Sequence, residues 1–482
     1  MVARREPNER LRALLAEARW TGAGLARAVN AIGAESGLPL SCTRASVSHW
    51  LAGVRPRPPV PELVAEALSR RLRRPVTARA AGLAMGDESV TPDPWAMDDP
   101  AAALVELSAI DADPNRRARL REVVYTLTEA QPPPWSGLPA PAGLAGPATP
   151  SAAHPATRAA GGPAGDSAGG RLTPTRQRGW PAQADAAVRV AGFFAAADAT
   201  FGGGHARAAL AAYLASDLAP RLRDGGRRLG LQRRMLTTAA NLAYLCGFMC
   251  FDDDMQGAAQ QYYLTALRLA AESGDRVAYG VVLGAMSAQA HYLGHHVQAL
   301  RLAEAAANKI TPKAGPITVA FMLGQLAVAR AFVGERGAAL ADLRGAERRM
   351  DRANPIPDVI GPYQRASLDH QRAEVLLALG DRRGAISAMT AALRHRRSGE
   401  RRSHTVTLAW LAGIHLDAGH LEVAVETWHR FLDGYPYLRS GWADAAFATL
   451  RARIRPHRGN AAAWSLWRRA AEMSEPAGPD RQ

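Results

Sequence analysis

Residues 43–58 read TRASVSHWLAGVRPRP and have the pattern of the second half of a helix-turn-helix. Thr43 is a suitable N-cap, and Val47 and Leu51 stand four residues apart on one face of the helix that would follow. The polar side chains on its other faces are Arg44, Ser46 and His49. The pattern predicts a short helix with a buried apolar side, Trp50 included, and an exposed polar side.

The preceding stretch supplies a partner for that helix. Thr21 can cap it, and its apolar stripe consists of Leu25, Ala26, Val29 and Ile32. Two helices in this order form the groove-reading unit of many DNA-binding domains, so double-stranded DNA is the first candidate partner. The connection from Ile32 to Thr43 is longer than the usual three- or four-residue turn, which leaves the exact base-contacting positions open.

The charge of the chain favours polyanionic partners. The 482 residues include 59 Lys and Arg against 44 Asp and Glu, a net charge of +15. Residues 1–80 hold 14 Arg, no Lys and six acidic residues, so 14 minus 6 places +8 around the predicted helix-turn-helix.

Cysteine usage and hydropathy suggest the compartment. Cys42, Cys246 and Cys250 lack the spacing of a disulfide framework, as expected in a reducing cytoplasm. No signal-peptide pattern opens the sequence, and apolar stretches such as residues 317–333 are interrupted by Gln and Arg. We therefore expect a cytoplasmic, nucleoid-associated protein with no membrane partner.

Composition divides the chain into four predicted parts. They are a helix-turn-helix domain (residues 1–86), a helical extension (87–130), a disordered linker (131–182) and a helical-repeat domain (183–476). The linker has 11 Pro and 9 Gly in 52 residues, and a flexible chain of that length separates its ends by about 40 Å. We expect the two halves to move independently.

The C-terminal part contains a repeat of small residues. A glycine stands five residues before an alanine at Gly294, Gly334, Gly380 and Gly419, and Asp254 has the same relation to Ala259. The alanines of the five units are Ala259, Ala299, Ala339, Ala385 and Ala424, at intervals of 40, 40, 46 and 39. Seven positions later come Ala266, Ala306, Ala346, Ala392 and Phe431.

This spacing is typical of tetratricopeptide repeats, in which a glycine ends one helix and small residues let the next helix approach. Pro436 falls where such a repeat stops its second helix. The intervals exceed the usual ~34 residues, so the match is to a degenerate array. An ordinary Ala-rich bundle is the alternative interpretation. The predicted fold is all-α, with an N-terminal helix-turn-helix and a C-terminal tetratricopeptide-like solenoid.

Four motifs carry a resemblance to a known family. They are SVSHWLAGVRPRP (residues 46–58), RRLRRPVTARAAGLA (70–84), FGGGHARAALAAYL (201–214) and GFMCFDDDMQGAAQQYYLTALRLA (247–270). Together they resemble actinobacterial regulators that join a Cro/C1-like helix-turn-helix to a tetratricopeptide-like domain. The best-known members are negative regulators of sporulation and antibiotic production, so the resemblance implies repression of developmental or secondary-metabolism genes. One departure is Phe248, where the family pattern leads us to expect Trp.

The predicted DNA contacts lie around the second helix. The groove-facing candidates are Arg44, Ser46, Ser48 and His49, and the phosphate-binding candidates are Arg55 and Arg57. Thr43, at the start of the helix, is a further DNA-binding candidate. Arg44 has the donor geometry for a bidentate contact with guanine.

Other motifs favour structural roles. The glycines at 202–204 lack a following Gly-Lys-Ser/Thr, so a flexible helix connection is expected. His291 and His295 have a metal-capable spacing without an obvious third ligand, Cys246 and Cys250 suit packing, and residues 252–254 suit an acidic turn. The arginines at 394, 396, 397, 401 and 402 suggest a solvated loop. No catalytic motif occurs, and we expect no enzyme activity, cofactor or metal.

These observations lead to two functional hypotheses. In the first, the chain is a sequence-specific transcriptional regulator whose repeat domain binds a peptide, protein or small-molecule effector. In the second, it is a repeat scaffold whose basic N-terminal domain docks a protein instead of DNA. Whether two copies form a homodimer stays open.

Overall fold

The computed structural model describes residues 6–74, 76–84, 99–130, 180–223, 229–310, 314–353 and 363–474. All regular structure in these residues is helical, and none of them forms a strand. The fold is therefore all-α, as predicted.

Residues 6–84, here called the head, contain four helices. They are α1 (Glu9–Glu17), α2 (Gly22–Glu35), α3 (Arg44–Leu51) and α4 (Val60–Leu72). The hydroxyl of Thr21 accepts the Gly24 N–H at 3.1 Å and caps α2, as the sequence predicts. The predicted stripe of α2 packs inward, and Val29 on α2, Val47 on α3 and Leu63 on α4 are all fully buried in one core.

The head ends in a turn, although Thr77 is a suitable N-cap from which the sequence predicts a short helix ending before Gly82. Thr77 caps this turn by accepting the Ala80 N–H at 3.0 Å, but residues 78–82 form no helix. The Asn8 side chain donates to the carbonyls of Ala81 and Gly82 at 2.9 and 3.1 Å. Because the Asn8 side chain at the N-terminus of α1 binds these two carbonyls, they do not accept the backbone hydrogen bonds that would continue a helix.

The extension contains α5 (Pro100–Ala112) and the single turn α6 (Ala118–Arg121). The C-terminal region opens with α7 (Trp180–Phe201), α8 (Gly203–Tyr213), a π-helical turn (Leu214–Leu218) and α9 (Ala219–Arg223).

Six antiparallel helix pairs follow. They are α10 (Leu229–Asp252) with α11 (Gln256–Ser273), α12 (Arg276–Tyr292) with α13 (His296–Ala307), α14 (Pro316–Phe332) with α15 (Arg336–Asp351), α16 (Arg365–Ala378) with α17 (Arg382–His395), α18 (Arg401–Asp417) with α19 (Leu421–Gly434), and α20 (Gly441–Ile454) with α21 (Ala461–Glu472).

The repeat pattern read from the sequence is confirmed. The four repeat glycines have φ between +82° and +87°, the conformation in which a glycine ends a helix most easily, and Asp254 takes their place with φ +57°. All five alanines and the five residues seven positions later are at most 1% exposed. Each small residue therefore lies where neighbouring helices approach. A 3₁₀ turn (Tyr435–Tyr437) containing Pro436 follows the second helix of the fifth pair, as predicted.

The end of the array returns to its beginning. Arg402 on α18 is buried and binds Asp198 on α7 at 3.0 Å, while the Ser440 hydroxyl donates to Asp252 at 2.8 Å. Trp442 packs edge-on against Phe251 of α10 with ring centroids 4.7 Å apart. The solvated-loop expectation is therefore wrong for Arg402, because two buried carboxylates surround its guanidinium.

The glycine run at 202–204 is a tight connection, so the expectation of a flexible one is also wrong. The N–H of Gly203 donates to Asp252 at 2.8 Å. A Cβ on Gly203 would come within 2.3 Å of the Met249 carbonyl oxygen, so α7 and α8 approach α10 more closely than any larger residue permits.

The extension packs on the array instead of standing apart from it. Leu104 and Leu107 of α5 are fully buried in the same core as α8, α10 and α11. Asp111, also on α5, is ion-paired with Arg207 of α8 and accepts the Tyr262 hydroxyl at 3.1 Å. Glu66 and Arg70 of the head bind the backbone of residues 125–127, and Glu35 lies 3.4 Å from His295 of the array. The expectation that the two halves move independently is therefore wrong for the described residues.

The predicted linker lies almost wholly outside the described residues. Its predicted end at residue 182 is three residues too late, because α7 begins at Trp180 with Pro181 in its first turn, a position that tolerates proline. Within the described ranges, no helix is both long and apolar enough to cross a membrane.

Candidate nucleic-acid interface

Local hydrogen bonds define where α3 begins. The Thr43 side chain accepts the Ser46 N–H at 3.4 Å, and the Ser46 hydroxyl accepts the Thr43 N–H at 3.2 Å. This reciprocal capping box satisfies two backbone donors that the first helical turn leaves without partners. The helix therefore starts at Arg44, where the sequence predicts it.

The buried side of α3 is the predicted one. Val47 is 0% exposed and Trp50 is 6% exposed, both within the head core. A Cβ on Gly22 would lie 3.4 Å from Val47 Cγ1, so the start of α2 and the middle of α3 are in close contact. Trp50 is thus a core residue, as expected, and not a stacking platform.

The opposite side of α3 presents Arg44, Ser48 and His49, all exposed. The Ser48 hydroxyl donates to the Arg44 carbonyl at 3.0 Å, and the Thr43 and Ser46 hydroxyls are engaged in the capping box. The three hydroxyl residues among the predicted DNA contacts, Thr43, Ser46 and Ser48, therefore bond locally at or within the helix. Arg44 and His49 make no side-chain hydrogen bond or ion pair to the described residues.

The two phosphate-binding candidates lie in the exit from α3. Gly53 has φ +89°, and the Val54 N–H returns to the His49 carbonyl at 2.9 Å, which turns the chain sharply. Arg55 and Arg57 follow and are both exposed. The structure thus places all seven predicted contact residues on α3 or on the segments joined directly to it.

Asn30 is a positioning residue that the sequence analysis missed. Its side chain accepts the Cys42 N–H at 2.8 Å and donates to the Cys42 carbonyl at 2.9 Å. This pair of bonds fastens the end of the connecting loop to α2, one residue before the α3 cap. An Asn on the polar side of a helix gives no sequence signal for such a contact 12 residues away.

The long connection between α2 and α3 is folded back on the head. The Leu38 N–H donates to the Gly33 carbonyl at 2.8 Å, and Leu38 and Leu40 pack against the head core. A Cβ on Gly33 would lie 2.8 Å from Leu40 Cδ1. The added length is therefore packed, and α3 still contacts α2 directly.

The head also contains a partly buried charge cluster at the side facing the array. Arg70 binds Glu35 at 2.8 Å and Glu66 at 2.7 Å. Burial opposes ionisation of Glu35, but the nearby His295 ring and the charge of Arg70 outweigh it and lower the pKa of Glu35. Burial raises the pKa of Glu66 despite the same arginine. These residues join the head to the array, whereas Arg44, Arg55 and Arg57 stay exposed.

The other sequence candidates occupy structural positions. His291 lies against Phe332, with ring centroids 4.3 Å apart, and burial lowers its pKa to about 4, with a further contribution from His296. Cys246 and Cys250 are fully buried, and this burial raises the pKa of both thiols. Across the described ranges, no three His, Cys, Asp or Glu side chains gather as a metal site.

The head matches a known family model. The family model described as "SP15 N-terminal domain" matches residues 11–84, which run from α1 to the turn after α4. The chain is thus similar to an SP15 N-terminal domain over less than half of its length. No curated protein matches the chain.

Proposed function

We propose that the chain is a DNA-binding transcriptional regulator that reads the major groove with α3. The observation that carries the proposal is the exposed face formed by Arg44 and His49, with Arg55 and Arg57 beside it. In a helix-turn-helix, residues at the start of the second helix contact base edges while flanking cations bind phosphates. The resemblance to actinobacterial regulators favours repression of developmental or secondary-metabolism genes.

The test is salt-dependent DNA binding by the full-length protein. Fluorescence anisotropy with fragments enriched from genomic DNA is expected to show an affinity that falls as salt rises, because bound cations release phosphate counterions. Arg44→Ala is expected to weaken binding by about 1–3 kcal/mol and to relax the preference for one base. Arg55→Ala is expected to weaken binding to all DNA sequences alike and to reduce the slope of log affinity against log salt concentration by about one.

Two variants serve as controls. Arg344→Ala removes an exposed arginine of α15 and is expected to leave DNA affinity unchanged. Arg44→Lys keeps the charge but removes the planar fork, so it is expected to preserve non-specific binding and lose base preference. Salt-insensitive binding, or equal affinity of Arg44→Ala and wild type, would refute the proposal.

The second candidate is a scaffold whose basic head docks a protein. Two contacts within the chain favour it: Glu35 of the head lies 3.4 Å from His295 of the array, and Glu66 of the head accepts the Leu127 N–H of the following segment. Under this hypothesis, Arg44→Ala reduces capture of a protein partner and leaves DNA occupancy in cells at background. Genome-wide mapping of bound DNA in wild type and Arg44→Ala separates the two.

A further inference from the structure

Residues 123–130, here called the strap, run between the head and the repeat array. Val124 is buried in the head core, while the next residue, Tyr125, is buried at 1% exposure in the core of the array. Consecutive side chains that enter opposite surfaces are characteristic of an extended chain. Residues 123–126 of the strap are therefore extended between two folded surfaces, and residues 127–130 continue as a turn.

The array binds the backbone of the strap. The side-chain amide of Gln260 on α11 accepts the Thr126 N–H at 2.8 Å and donates to the Thr126 carbonyl at 2.8 Å. Gln298 on α13 donates to the Ala130 carbonyl. To bind both the N–H and the carbonyl of one residue, the array needs a chain that is extended there and has a free N–H, but it places no demand on the side chain of that residue. Proteins commonly recognise linear peptides through such main-chain hydrogen bonds.

Close contact and side-chain contacts add specificity. A Cβ on Gly257 would come within 2.1 Å of the Val123 carbonyl oxygen, so the strap lies directly on the backbone of α11. The Tyr125 ring stacks on His295 with centroids 5.9 Å apart, and Gln261 donates to the Glu129 carboxylate at 3.0 Å. The site thus fits an aromatic residue, then a residue other than proline, and an acidic residue three positions later.

The head holds the other edge of the same segment. Glu66 accepts the Leu127 N–H at 2.9 Å, and Arg70 donates to the Tyr125 carbonyl at 3.4 Å. The strap therefore contributes to two interfaces at once. Its departure from the array would remove part of the contact between head and array.

We propose that α11 and α13 form a peptide-binding site, which the protein occupies with its own strap and which an extended peptide of the same pattern can take over. The exchange breaks the two Gln260 bonds to Thr126 and reforms them with the incoming backbone. This loosens the head from the array. The consequence for DNA occupancy rests on the proposed function, whereas peptide binding itself does not.

The test uses the full-length protein and a fluorescent synthetic peptide with the strap sequence VVYTLTEA. Thr126→Pro in the protein removes the N–H that Gln260 accepts and so weakens the protein's own occupant. Anisotropy is expected to show peptide binding about tenfold tighter for Thr126→Pro than for wild type, since the hydrogen bond from the residue 126 N–H to Gln260 no longer competes. Adding Gln260→Ala to Thr126→Pro is expected to abolish binding.

Matched controls identify the site. Thr128→Ala changes an exposed strap residue and is expected to bind the peptide as wild type does. A peptide carrying proline at the Thr126 position, VVYPLTEA, is expected not to bind. Tyr125→Ala is a second variant with a weakened strap, since it removes the ring that stacks on His295. Thermal unfolding verifies that each variant is folded.

The outcomes are distinguishable from those of the DNA test. Failure of both weakened-strap variants to bind the peptide, or unchanged binding after Gln260→Ala, would overturn the peptide site even if the protein binds DNA. Tight peptide binding without any DNA binding would support the site and refute the proposed function. If both bind, the peptide is expected to change the DNA affinity of Thr126→Pro.

Discussion

Arg402 and Asp198 lie 204 residues apart in the chain, and the Arg402 guanidinium donates to the Asp198 carboxylate at 3.0 Å. The same guanidinium lies 3.4 Å from the Asp252 carboxylate, and all three side chains are buried. Burial, the largest effect, raises the pKa of both carboxyls, and the positive charge of Arg402 counteracts it. This cluster joins the fifth helix pair to the helices that precede and begin the array.

Removing Arg402 is expected to destabilise the array strongly. Arg402→Met fills similar volume but leaves two carboxyls buried without a cation, at a cost of about 3–5 kcal/mol. Urea unfolding measured by circular dichroism tests this. Arg401→Met changes the exposed neighbour, which lies over the Tyr437 ring at 5.0 Å, and is expected to cost less than about 1 kcal/mol. Equal losses of unfolding free energy in the two variants would contradict the conclusion that Arg402 joins the fifth helix pair to the start of the array.

The array is expected to lose stability as pH rises because of Glu374. Burial raises the pKa of Glu374 to about 8 from an ordinary 4.5. His370, at 4.0 Å, offers no compensating charge, since burial and Arg396 lower its pKa to about 3. A raised carboxyl pKa means that the folded state binds more protons than the unfolded state. The stability that Glu374 contributes is therefore fully present below about pH 4.5 and is lost as the pH rises through about 8.

Glu374→Gln tests that expectation because glutamine does not titrate. The urea midpoint of this variant is expected to rise relative to wild type as pH increases from 5 to about 8. Glu426→Gln, an exposed change on α19, is expected to follow the wild-type pH profile. A constant difference between Glu374→Gln and wild type across this range would be inconsistent with a raised pKa.

Asn30 is expected to control both stability and DNA affinity. Asn30→Ala removes both hydrogen bonds to the Cys42 backbone and is expected to cost about 1–3 kcal/mol of stability. Asn30→Asp keeps the acceptor for the Cys42 N–H and is expected to fall between wild type and alanine.

DNA anisotropy on the Asn30 variants is expected to give the same order, since both bonds position the start of α3. Asn308→Ala, an exposed asparagine at the end of α13, is the control and is expected to change neither quantity. If Asn30→Ala loses stability but keeps full DNA affinity, the two hydrogen bonds fasten the loop to α2 without positioning α3 for DNA.

Two helix glycines are expected to respond oppositely to alanine. In Gly203→Ala the new Cβ would lie 2.3 Å from a backbone oxygen, so a loss of at least about 2 kcal/mol is expected. In Gly192→Ala, on α7, no described atom beyond the adjacent residues and the nearby backbone of the same helix lies within 4 Å of the new Cβ. A gain of about 0.5–1 kcal/mol is expected there from helix propensity. Thermal unfolding of both variants is the measurement, and a stabilised Gly203→Ala would argue against the tight connection.

Local patterns were sufficient to predict the helices and the repeat. The Gly-to-Ala spacing at Gly294, Gly334, Gly380 and Gly419 reports a turn and a close helix approach, and both depend on residues within one repeat. The cap at Thr43 and the apolar face of α3 are equally local. For the same reason, the sequence alone identifies the exposed residues of α3 as contact candidates.

The positions of Asn30, Gln260 and Arg402 could not be inferred in this way. Each polar side chain has a partner 12, 134 or 204 residues away, and no periodicity in the sequence encodes such a pairing. Arg402 stands in an arginine-rich segment of the kind that forms solvated loops, yet it is buried because tertiary packing brings Asp198 and Asp252 around it. Helix type and repeat follow from short-range sterics and hydrophobic spacing, whereas the closure of the array and the docking of the head depend on long-range packing.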